Sequence, residues 1–185
     1  MSLRIIAGEF GGRRIQAPQG RDTRPTREAV REAWFNVLAD RISAARVLDL
    51  YAGSGALGLE ALSRGAAYVG FVESNAAVLA VLRANVETLG VASRTEVLAR
   101  DVVSVVRGLS RTGTREWDIV LADPPYAGDA ASRLVSDFGQ APFADILCVE
   151  HARSVDLPGE PNWRRRYGEC VLSIFLDPTE GAADG

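Results

Sequence analysis

The sequence predicts a single α/β domain in which helices cover both faces of a mostly parallel β-sheet. From residue 47 onward, short apolar runs alternate with helical segments, and repeated βα units of this kind build parallel sheets. At 185 residues the chain has the length of about one domain. Its 47% hydrophobic and 24% charged residues are typical of a soluble globular protein. No apolar run approaches the ~18 residues that a membrane helix needs, so we expect a cytoplasmic protein without membrane contact.

The first forty residues predict a hairpin followed by a helix. Two short strands surround a glycine-rich tip, over residues 3–7 and 13–17. A loop over 18–25 precedes a helix over about 27–39, with Thr26 as its N-cap. Apolar residues recur along this helix at helical spacing, and we interpret Arg27 and Arg31, four residues apart, as lying away from that apolar face. We therefore expect both arginines on an exposed side of the helix.

The rest of the chain is interpreted as alternating strands and helices. The predicted strands are 47–50, 69–73, 95–99, 118–122 and 146–150, with a closing hairpin of 164–167 and 171–176. The predicted helices are 56–64, 76–89, 102–109 and 130–138. We divide the chain into an N-terminal extension (1–40), an α/β domain (41–177) and a small, acidic tail (178–185) that we expect to be disordered.

Each of the first four predicted strands finishes at an acidic residue. These residues are Asp49, Glu73, Asp101 and Asp123. Ligands of open α/β sheets bind at the carboxyl ends of the strands. We therefore expect the four carboxylates to point into a shared crevice or to cap the helices that follow them.

A glycine-rich loop follows the first of these strands. Gly53, Gly55 and Gly58 match the GxGxxG pattern, in which glycines let the backbone turn sharply and let a ligand approach the helix N-terminus. Glu73, 24 residues after Asp49, is placed to bind the two hydroxyls of a ribose. The loop itself fits two kinds of cofactor: the first is a dinucleotide such as NAD, and the second is S-adenosylmethionine. Asp49 favours the second, because a carboxylate attracts the ammonium of a methionine moiety and repels a pyrophosphate.

The fourth strand ends in a rigid turn with the sequence Asp-Pro-Pro-Tyr, over residues 123–126. Two prolines fix the backbone and remove two N–H donors, which leaves outward carbonyls, an acid and an aromatic ring. The Asp123 carboxylate and the Pro124 carbonyl would accept hydrogen bonds from the two N–H groups of an exocyclic amine. Tyr126 would stack on the base that carries this amine. Held in this way, a nitrogen that is a poor nucleophile in the free base becomes pyramidal and reactive.

Five segments together resemble the RsmD family, whose members are S-adenosylmethionine-dependent methyltransferases. The segments are Arg4–Gly8, Thr23–Arg27, Phe35–Leu38, Asp49–Gly58 and Asp123–Tyr126. The resemblance covers about residues 3–176. It implies a Rossmann-like class I methyltransferase fold, with an N-terminal β-hairpin, a seven-stranded mostly parallel sheet and a final antiparallel strand. It also implies methylation of the N2 amine of a guanine in small-subunit (16S) ribosomal RNA.

The resemblance assigns roles to particular residues. It implies that the cofactor contacts Asp49, Ala52, Gly53, Ser54, Gly55, Glu73, Ser74, Asp101 and Val102. The methionine part would lie against Asp49 and the glycine loop, the ribose against Glu73, and the adenine against Asp101 and Val102. The catalytic residues that hold the guanine would be Asp123, Pro124, Pro125 and Tyr126.

The distribution of charge predicts a basic arm on an acidic body. Residues 1–46 hold nine arginines and five acidic residues, which gives a net charge of +4. The remaining 139 residues hold twelve arginines and nineteen acidic residues, which gives a net charge of −7. The expected RNA-binding residues are Arg4, Arg13, Arg14, Arg24, Thr26, Arg27 and Arg31. An arginine run at 164–166 extends this patch or lines an edge strand.

The amine of a stacked base is out of reach, so we expect a target in an RNA loop or a base that is flipped out. A chain of this size has little surface for reading a long RNA, and a small-subunit assembly particle is the expected partner. We expect the enzyme itself to be a monomer.

Cysteine and histidine content argues against a metal centre. Cys148 and Cys170 both lie in apolar, strand-like runs and are predicted to be buried, reduced thiols. Together with the one histidine they do not make up a zinc site, and no metal is expected. His151 follows the end of a strand and is interpreted as structural, because the proposed chemistry needs no strong base.

Three other functions remain open from the sequence. The first is an amino-methyltransferase that acts on adenine N6 in another nucleic acid or on a protein, because it would use the same turn at residue 123. The second is a non-catalytic RNA-binding factor that kept the fold. The third is an NAD-linked oxidoreductase.

Overall fold

A seven-stranded β-sheet forms the centre of the molecule in a computed structural model that describes residues 2–18, 25–113 and 115–177. Its strands are β3 (Arg46–Leu50), β4 (Tyr68–Glu73), β5 (Thr95–Ala99), β6 (Trp117–Ala122), β7 (Ala144–Ala152), β8 (Trp163–Tyr167) and β9 (Cys170–Leu176). They are ordered β5-β4-β3-β6-β7-β9-β8. The first five in this order are parallel, and β9 is antiparallel to both of its neighbours. The fold class expected from the sequence is confirmed.

A separate two-stranded hairpin and five α-helices complete the described elements. The hairpin pairs β1 (Ser2–Arg4) with β2 (Arg14–Gln16). The helices are α1 (Pro25–Val37), α2 (Ala56–Ser63), α3 (Ala76–Leu89), α4 (Val102–Thr112) and α5 (Ala130–Gln140), and a 3-10 turn spans Ala92–Arg94. The helix α1 begins at Pro25, so the expected N-cap Thr26 lies inside the helix; a proline suits the first helical position because it has no N–H to leave unpaired.

Two apolar layers cover the two faces of the sheet. One layer packs α1, α2, α3 and the hairpin against side chains such as Val47, Phe71 and Leu121. The other packs α4 and α5 against their neighbours along the strands, such as Leu48 and Val120. This alternation follows from the two-residue period of a strand, and it explains why the strands are apolar throughout rather than on one side.

The N-terminal extension shares the core of the α/β domain. Ile5, Phe10 and Ile15 of the hairpin belong to the same buried cluster as the helices that cover the sheet. Asn85 of α3 is fully buried; its side chain accepts from the Gln16 amide at 2.7 Å and donates to the Gln16 carbonyl at 3.0 Å. The described hairpin is therefore part of one packed unit with the sheet.

A buried acidic residue on α2 fixes the hairpin further. Glu60, which is 0% exposed, accepts from the amides of Ile6 at 2.7 Å and Ala7 at 3.0 Å. At Gly8, where φ is +83°, an added Cβ would overlap the Ser63 carbonyl oxygen, so the hairpin approaches α2 as closely as only glycine permits.

Arg31 occupies a different position from the one predicted. It is 6% exposed rather than on an open side, and its guanidinium donates to the Arg4 carbonyl at 2.6 Å. Its Nε lies 3.9 Å from the Glu60 carboxylate, and burial lowers its pKa despite that negative charge. The expectation of an exposed Arg31 is wrong because the hairpin packs over this part of α1.

Asp177, the last described residue, is buried although it follows the last strand, and it forms an ion pair with Arg115.

Several predicted regions lie outside the described residues. The predicted tail 178–185 and the RNA-binding candidate Arg24 lie outside the described residues, as do the side chains of Thr26 and Arg27. In the part of the chain that is described, no helix combines the length and apolar character that crossing a membrane requires.

Candidate active site

A cavity lies at the carboxyl edge of the sheet, where the ends of β3, β6 and β7 meet the N-terminal extension. The strand ends contribute Asp49, Asp123 and Glu150. Walls from α1 include Arg31 and Trp34. Further lining residues come from the hairpin and its continuation, at Leu3, Ala17 and Pro18, and from the glycine loop and α2, at Tyr51, Ala52, Ser54, Ala56 and Leu57. The extension that was predicted to bind RNA thus also forms one wall of this cavity.

The glycine loop turns sharply between β3 and α2. Tyr51, Gly53 and Gly55 all adopt left-handed backbone conformations, with φ of 60°, 58° and 81°. A Cβ at Gly55 would lie 2.5 Å from the Leu82 side chain, and one at Gly58 would collide with the Phe71 ring. These two glycines therefore serve close packing of the loop and α2 against α3 and β4, rather than only the approach of a ligand that the sequence suggested.

Asp49 is almost completely buried, at 1% exposure, and lines the cavity. Its Oδ2 accepts from the Gly58 amide at 2.9 Å, in the first turn of α2. A carboxylate at this position is stabilised by the partial positive charge of the helix N-terminus. Asp49 thus holds the glycine loop against the strand and also presents negative charge to the cavity.

Glu73 ends β4 with its carboxylate fixed by three backbone amides. Its Oε1 accepts from Ser74 at 2.9 Å and Asn75 at 2.8 Å, and its Oε2 accepts from Gly53 at 3.1 Å. A carboxylate has about four acceptor positions, so one remains on Oε2. Glu73, the residue predicted to bind a ribose, therefore keeps acceptor capacity for one further hydrogen bond on Oε2.

The next strand end combines an exposed acid with a buried apolar residue. Asp101 caps α4 by accepting from the Ser104 amide at 3.1 Å, and Val102 beside it is 7% exposed. Burial raises the pKa of Tyr51, with a smaller contribution from the negative charge of Asp101. Both causes oppose ionisation of the Tyr51 hydroxyl.

The smaller residues of the predicted cofactor set have backbone roles. Ala52 is buried and donates its amide to the Val72 carbonyl at 3.0 Å. Ser54 is also buried, and its carbonyl accepts from the Asn85 side chain at 2.9 Å. Ser74 is exposed at the end of β4, where its amide holds Glu73. These contacts join the loop to both flanking elements and fix its shape.

The turn after β6 presents polar groups at the cavity. Asp123 is half-buried and lines the cavity, Pro124 is buried, and Pro125 is exposed. Tyr126 is 46% exposed, and its hydroxyl donates to Glu150 Oε1 at 2.5 Å. Burial, the hydrogen bond to Glu150 and nearby negative charges all raise the pKa of Tyr126, so the phenol remains a neutral donor.

Sequence reasoning missed several residues that line the cavity, among them Tyr51, Glu150 and Trp34. Tyr51 lies inside the predicted loop, and Glu150 ends the fifth strand as the other acids end the first four. The same strand-end pattern, extended to the fifth strand, could have identified Glu150. Trp34 belongs to the apolar face of α1 and is 1% exposed, yet it also lines the cavity. No sequence signal reveals this second contact, because it depends on how α1 packs on the sheet.

The predicted RNA-binding residues divide by exposure. Arg4, Arg13 and Arg14 are exposed on the hairpin. Arg4 lies 3.7 Å from Glu28, and Arg13 donates to the Thr88 carbonyl at 2.5 Å. The three remaining arginine candidates are Arg24, whose position is outside the described residues, Arg27, which is described only as part of α1, and the buried Arg31.

The cysteines and the histidine are buried. Cys148 and Cys170 are free thiols, and burial raises the pKa of Cys170 to about 11 and that of Cys148 as well. The His151 ring contacts the Ala152 carbonyl and the Ser173 hydroxyl, both at 3.0 Å, which suits a structural role. Among the described residues there is no cluster of three or more side chains suited to hold a metal ion.

The chain is similar to known proteins over nearly its whole length. A family model described as "Conserved hypothetical protein 95" matches residues 3–175. The Ribosomal RNA small subunit methyltransferase D of Escherichia coli (strain K12) is 35% identical over 190 residues, covering 98% of this chain and 93% of the relative. The protein of the same name from Haemophilus influenzae is 36% identical over 166 residues, covering 87% and 84%.

Solved structures share the same architecture. The Escherichia coli protein yhhF superposes with a TM-score of 0.81 at 31% identity, covering 95% of this chain and 98% of that one. A hypothetical protein from Thermus thermophilus superposes with a TM-score of 0.80 at 30% identity, covering 95% and 99%. These likenesses include the hairpin and α1 as well as the sheet, because they span nearly all of each chain.

Proposed function

The chain belongs to the RsmD family of ribosomal RNA methyltransferases, and we propose that its target is the exocyclic N2 amine of a guanine in 16S ribosomal RNA. It is an enzyme that methylates ribosomal RNA with S-adenosylmethionine as its cofactor. The choice of guanine N2, the residues that carry the reaction and the form of the RNA substrate belong to the proposal. The first two rest on the chemistry of the strand ends.

The residues at the glycine loop fit the proposed cofactor. Bound S-adenosylmethionine supplies a methyl group on a sulfonium, which is already an activated leaving group. Glu73 keeps one acceptor position for a ribose hydroxyl, and Asp49 offers negative charge to the ammonium. Asp101 and Val102 would border the adenine, one as acceptor and the other as apolar surface. The backbone of Ala52, Gly53, Ser54 and Gly55 would form the wall between these positions.

One observation carries the assignment of the reacting end: Asp49 and Asp123 line the same cavity from neighbouring parallel strands. Asp49 is paired with Leu121, so Asp123 lies two residues beyond it on the next strand. Strand geometry then separates the two Cα atoms by about 8 Å. A group bound beside Asp49 and a base bound at Asp123 would therefore be neighbours within one cavity.

The side chains of the turn would position the amine. The Asp123 carboxylate and the Pro124 carbonyl would accept hydrogen bonds from the two N–H groups of the amine, which favours a pyramidal nitrogen. Tyr126, half-exposed at the mouth, offers a ring face for stacking. Positioning of this kind supplies several kcal/mol without a strong base, since the nitrogen loses its proton readily once it is alkylated.

The exposed arginines of the hairpin support RNA contact. Arg4, Arg13 and Arg14 lie on the extension that also forms one wall of the cavity, and we keep Arg24, Thr26 and Arg27 as candidates. Arg31 leaves this set because it is buried under the hairpin. Each neutralised phosphate should steepen the salt dependence of binding by roughly one unit of slope. We propose that a monomer acts in the cytoplasm on RNA shaped within a small-subunit assembly particle.

The proposed function is tested by naming the product. Purified protein is incubated with labelled S-adenosylmethionine and small-subunit particles from a strain that lacks the enzyme, and the RNA is digested to nucleosides. We expect label in N2-methylguanosine with the wild type, with strong loss for Asp123→Ala. Label in N6-methyladenosine, or in ribosomal protein instead of RNA, would show that the enzyme methylates that amine and not guanine N2.

A further inference from the structure

Glu150 stands directly beside Asp123 at the edge of the sheet. Ala122 of β6 is paired with Val149 of β7, so the next residues along these parallel strands are Asp123 and Glu150. Neighbouring strands are about 4.8 Å apart, and both side chains line the same cavity. The proposed mechanism uses the first carboxylate and leaves the second without a role.

The two oxygens of Glu150 have different surroundings. Oε1 accepts the hydroxyl of Tyr126 at 2.5 Å. Oε2 accepts from no N–H or O–H group of the described residues; the Cys170 thiol, which is a weak donor, also neighbours the carboxylate. The side chain is partly exposed at the cavity. Glu150 therefore ties down the ring that would stack on the base and still presents acceptor capacity beside Asp123.

Two adjacent acceptors match guanine and not adenine. The Watson–Crick edge of guanine places the N1–H donor next to the N2 amine, so two carboxylates side by side can accept from both. The corresponding edge of adenine places its amine next to the N1 lone pair, which a carboxylate would repel. A neighbouring acid thus selects the base through the atom next to the methylated nitrogen.

One residue that lines the same cavity carries a buried donor with no acceptor among the described residues. Trp34 is 1% exposed, and its indole N–H finds no partner in the described part of the chain. A buried donor of this kind costs free energy unless a bound molecule supplies the acceptor. This observation is independent of the acids, and a bound molecule that carries an acceptor would satisfy the indole N–H.

We propose that Glu150 accepts the N1–H of the target guanine through Oε2 while Oε1 holds Tyr126, and that it thereby selects guanine over adenine. This inference rests on the proposed methylation of guanine N2. It makes Glu150 a contact of the substrate in addition to a positioning residue for Tyr126.

The test replaces the target guanine with 2-aminopurine, which keeps the N2 amine but has a lone pair at N1. The mapped nucleotide is placed in 16S RNA by ligation, the particles are reconstituted, and kcat/KM is measured for both bases. The wild type should prefer guanine by about 10- to 100-fold, the range expected for leaving one buried acceptor unpaired. In E150Q the amide can either donate or accept, so this preference should fall to within a few-fold.

Two further variants separate base selection from positioning. Tyr126→Phe removes the phenol but keeps Glu150, so it should slow both substrates by the same factor and leave the guanine preference intact. Glu87→Gln, on the exposed surface of α3, should change neither rate. Urea unfolding of each variant gives its stability, so that a loss of folding is recognised.

The outcomes distinguish the inference from the function on which it rests. A wild-type enzyme that methylates both bases equally overturns the role of Glu150 without any variant being needed. The role is also overturned if E150Q is folded and active but keeps the full preference for guanine. In both cases methylation of guanine N2 still stands. Absence of N2-methylguanosine from the natural particle would instead remove the proposed function itself.

Discussion

Replacing Glu60 with alanine is expected to release the N-terminal hairpin from α2. Glu60 is fully buried and accepts from the amides of Ile6 and Ala7 and from Arg64 Nε at 2.8 Å. It also faces the buried guanidinium of Arg31 at 3.9 Å. The variant would leave two amides without their acceptor and a buried positive charge without its counter-charge.

The structure sets the size of this effect. Removing one partner of a buried ion pair costs about 3–5 kcal/mol, because the other charge stays buried and uncompensated. For a chain of this length, 1 kcal/mol lowers Tm by roughly 2–4 °C, so we expect a fall of about 6–20 °C. Glu60→Gln should cost less, because its carbonyl still accepts from one of the two amides.

Two measurements check this prediction. Urea unfolding gives the loss in free energy, with the exposed Glu87→Gln as a control that should stay within about 0.5 kcal/mol of the wild type. Hydrogen exchange at the amides of Ile6 and Ala7 reports the hairpin itself, and both should exchange much faster in the variant. RNA methylation should also fall, because Leu3 of the hairpin lines the cavity.

A small effect at the hairpin would contradict this role of Glu60. If Glu60→Ala loses less than about 1 kcal/mol and the amides of Ile6 and Ala7 keep their protection, the buried carboxylate does not hold the hairpin. A large loss of stability with unchanged exchange at these two amides would contradict the reasoning as well, because the damage would then lie elsewhere.

Three other predictions concern the site. Asp123→Ala should lower kcat by about 10²–10³, with calorimetry showing unchanged affinity for S-adenosylhomocysteine; an unaltered kcat contradicts the role of Asp123. Glu73→Ala should weaken that affinity by about 10- to 100-fold, and a Kd within twofold of the wild type argues against the ribose contact. Because burial raises the pKa of Cys170 from 9.0 to about 11, the unfolded chain ionises first as pH rises through this window. Stability should therefore fall between these pH values in urea titrations, and thiol labelling at pH ~9 should be much slower in the native protein than in urea; equal labelling rates would contradict the raised pKa.

The regular part of the fold was predictable because its signals are local. Apolar runs and helical spacing, bounded by glycine, proline and acidic residues, located the five parallel strands and the five described helices, with ends that shift by a few residues. The glycine loop and the turn at 123–126 were also recognisable, since each has a short sequence pattern between a strand and a helix. Asp49 and Asp123 were expected to meet at the sheet edge, and the structure brings them to one cavity.

Arg31 shows where local reasoning failed. It lies three residues before Trp34 and four before Phe35, so helical spacing itself puts it on the buried stripe of α1. Its charge argued for an exposed position, and this argument holds only when no buried partner exists. The partner is Glu60, whose carboxylate comes from another helix.

Glu60 and Glu150 were missed for a related reason. Glu60 is the one acidic residue in the apolar sequence of α2, and a lone acid in such a helix signals a buried partner without naming it. Glu150 ends a strand, yet its link to Tyr126 spans two separate strand ends and depends on the order of β6 and β7 in the sheet. Pairings between distant segments of this kind follow from topology and not from sequence spacing.

A crystal structure with S-adenosylhomocysteine would show whether the cofactor and the turn at Asp123 meet in one cavity. We expect the adenosine ribose to hydrogen-bond to Glu73 and the sulfur to lie in the cavity between Asp49 and Asp123, open toward the turn that carries Tyr126. A sulfur that is remote from Asp123, or a cavity that does not bind the molecule at all, would contradict this expectation.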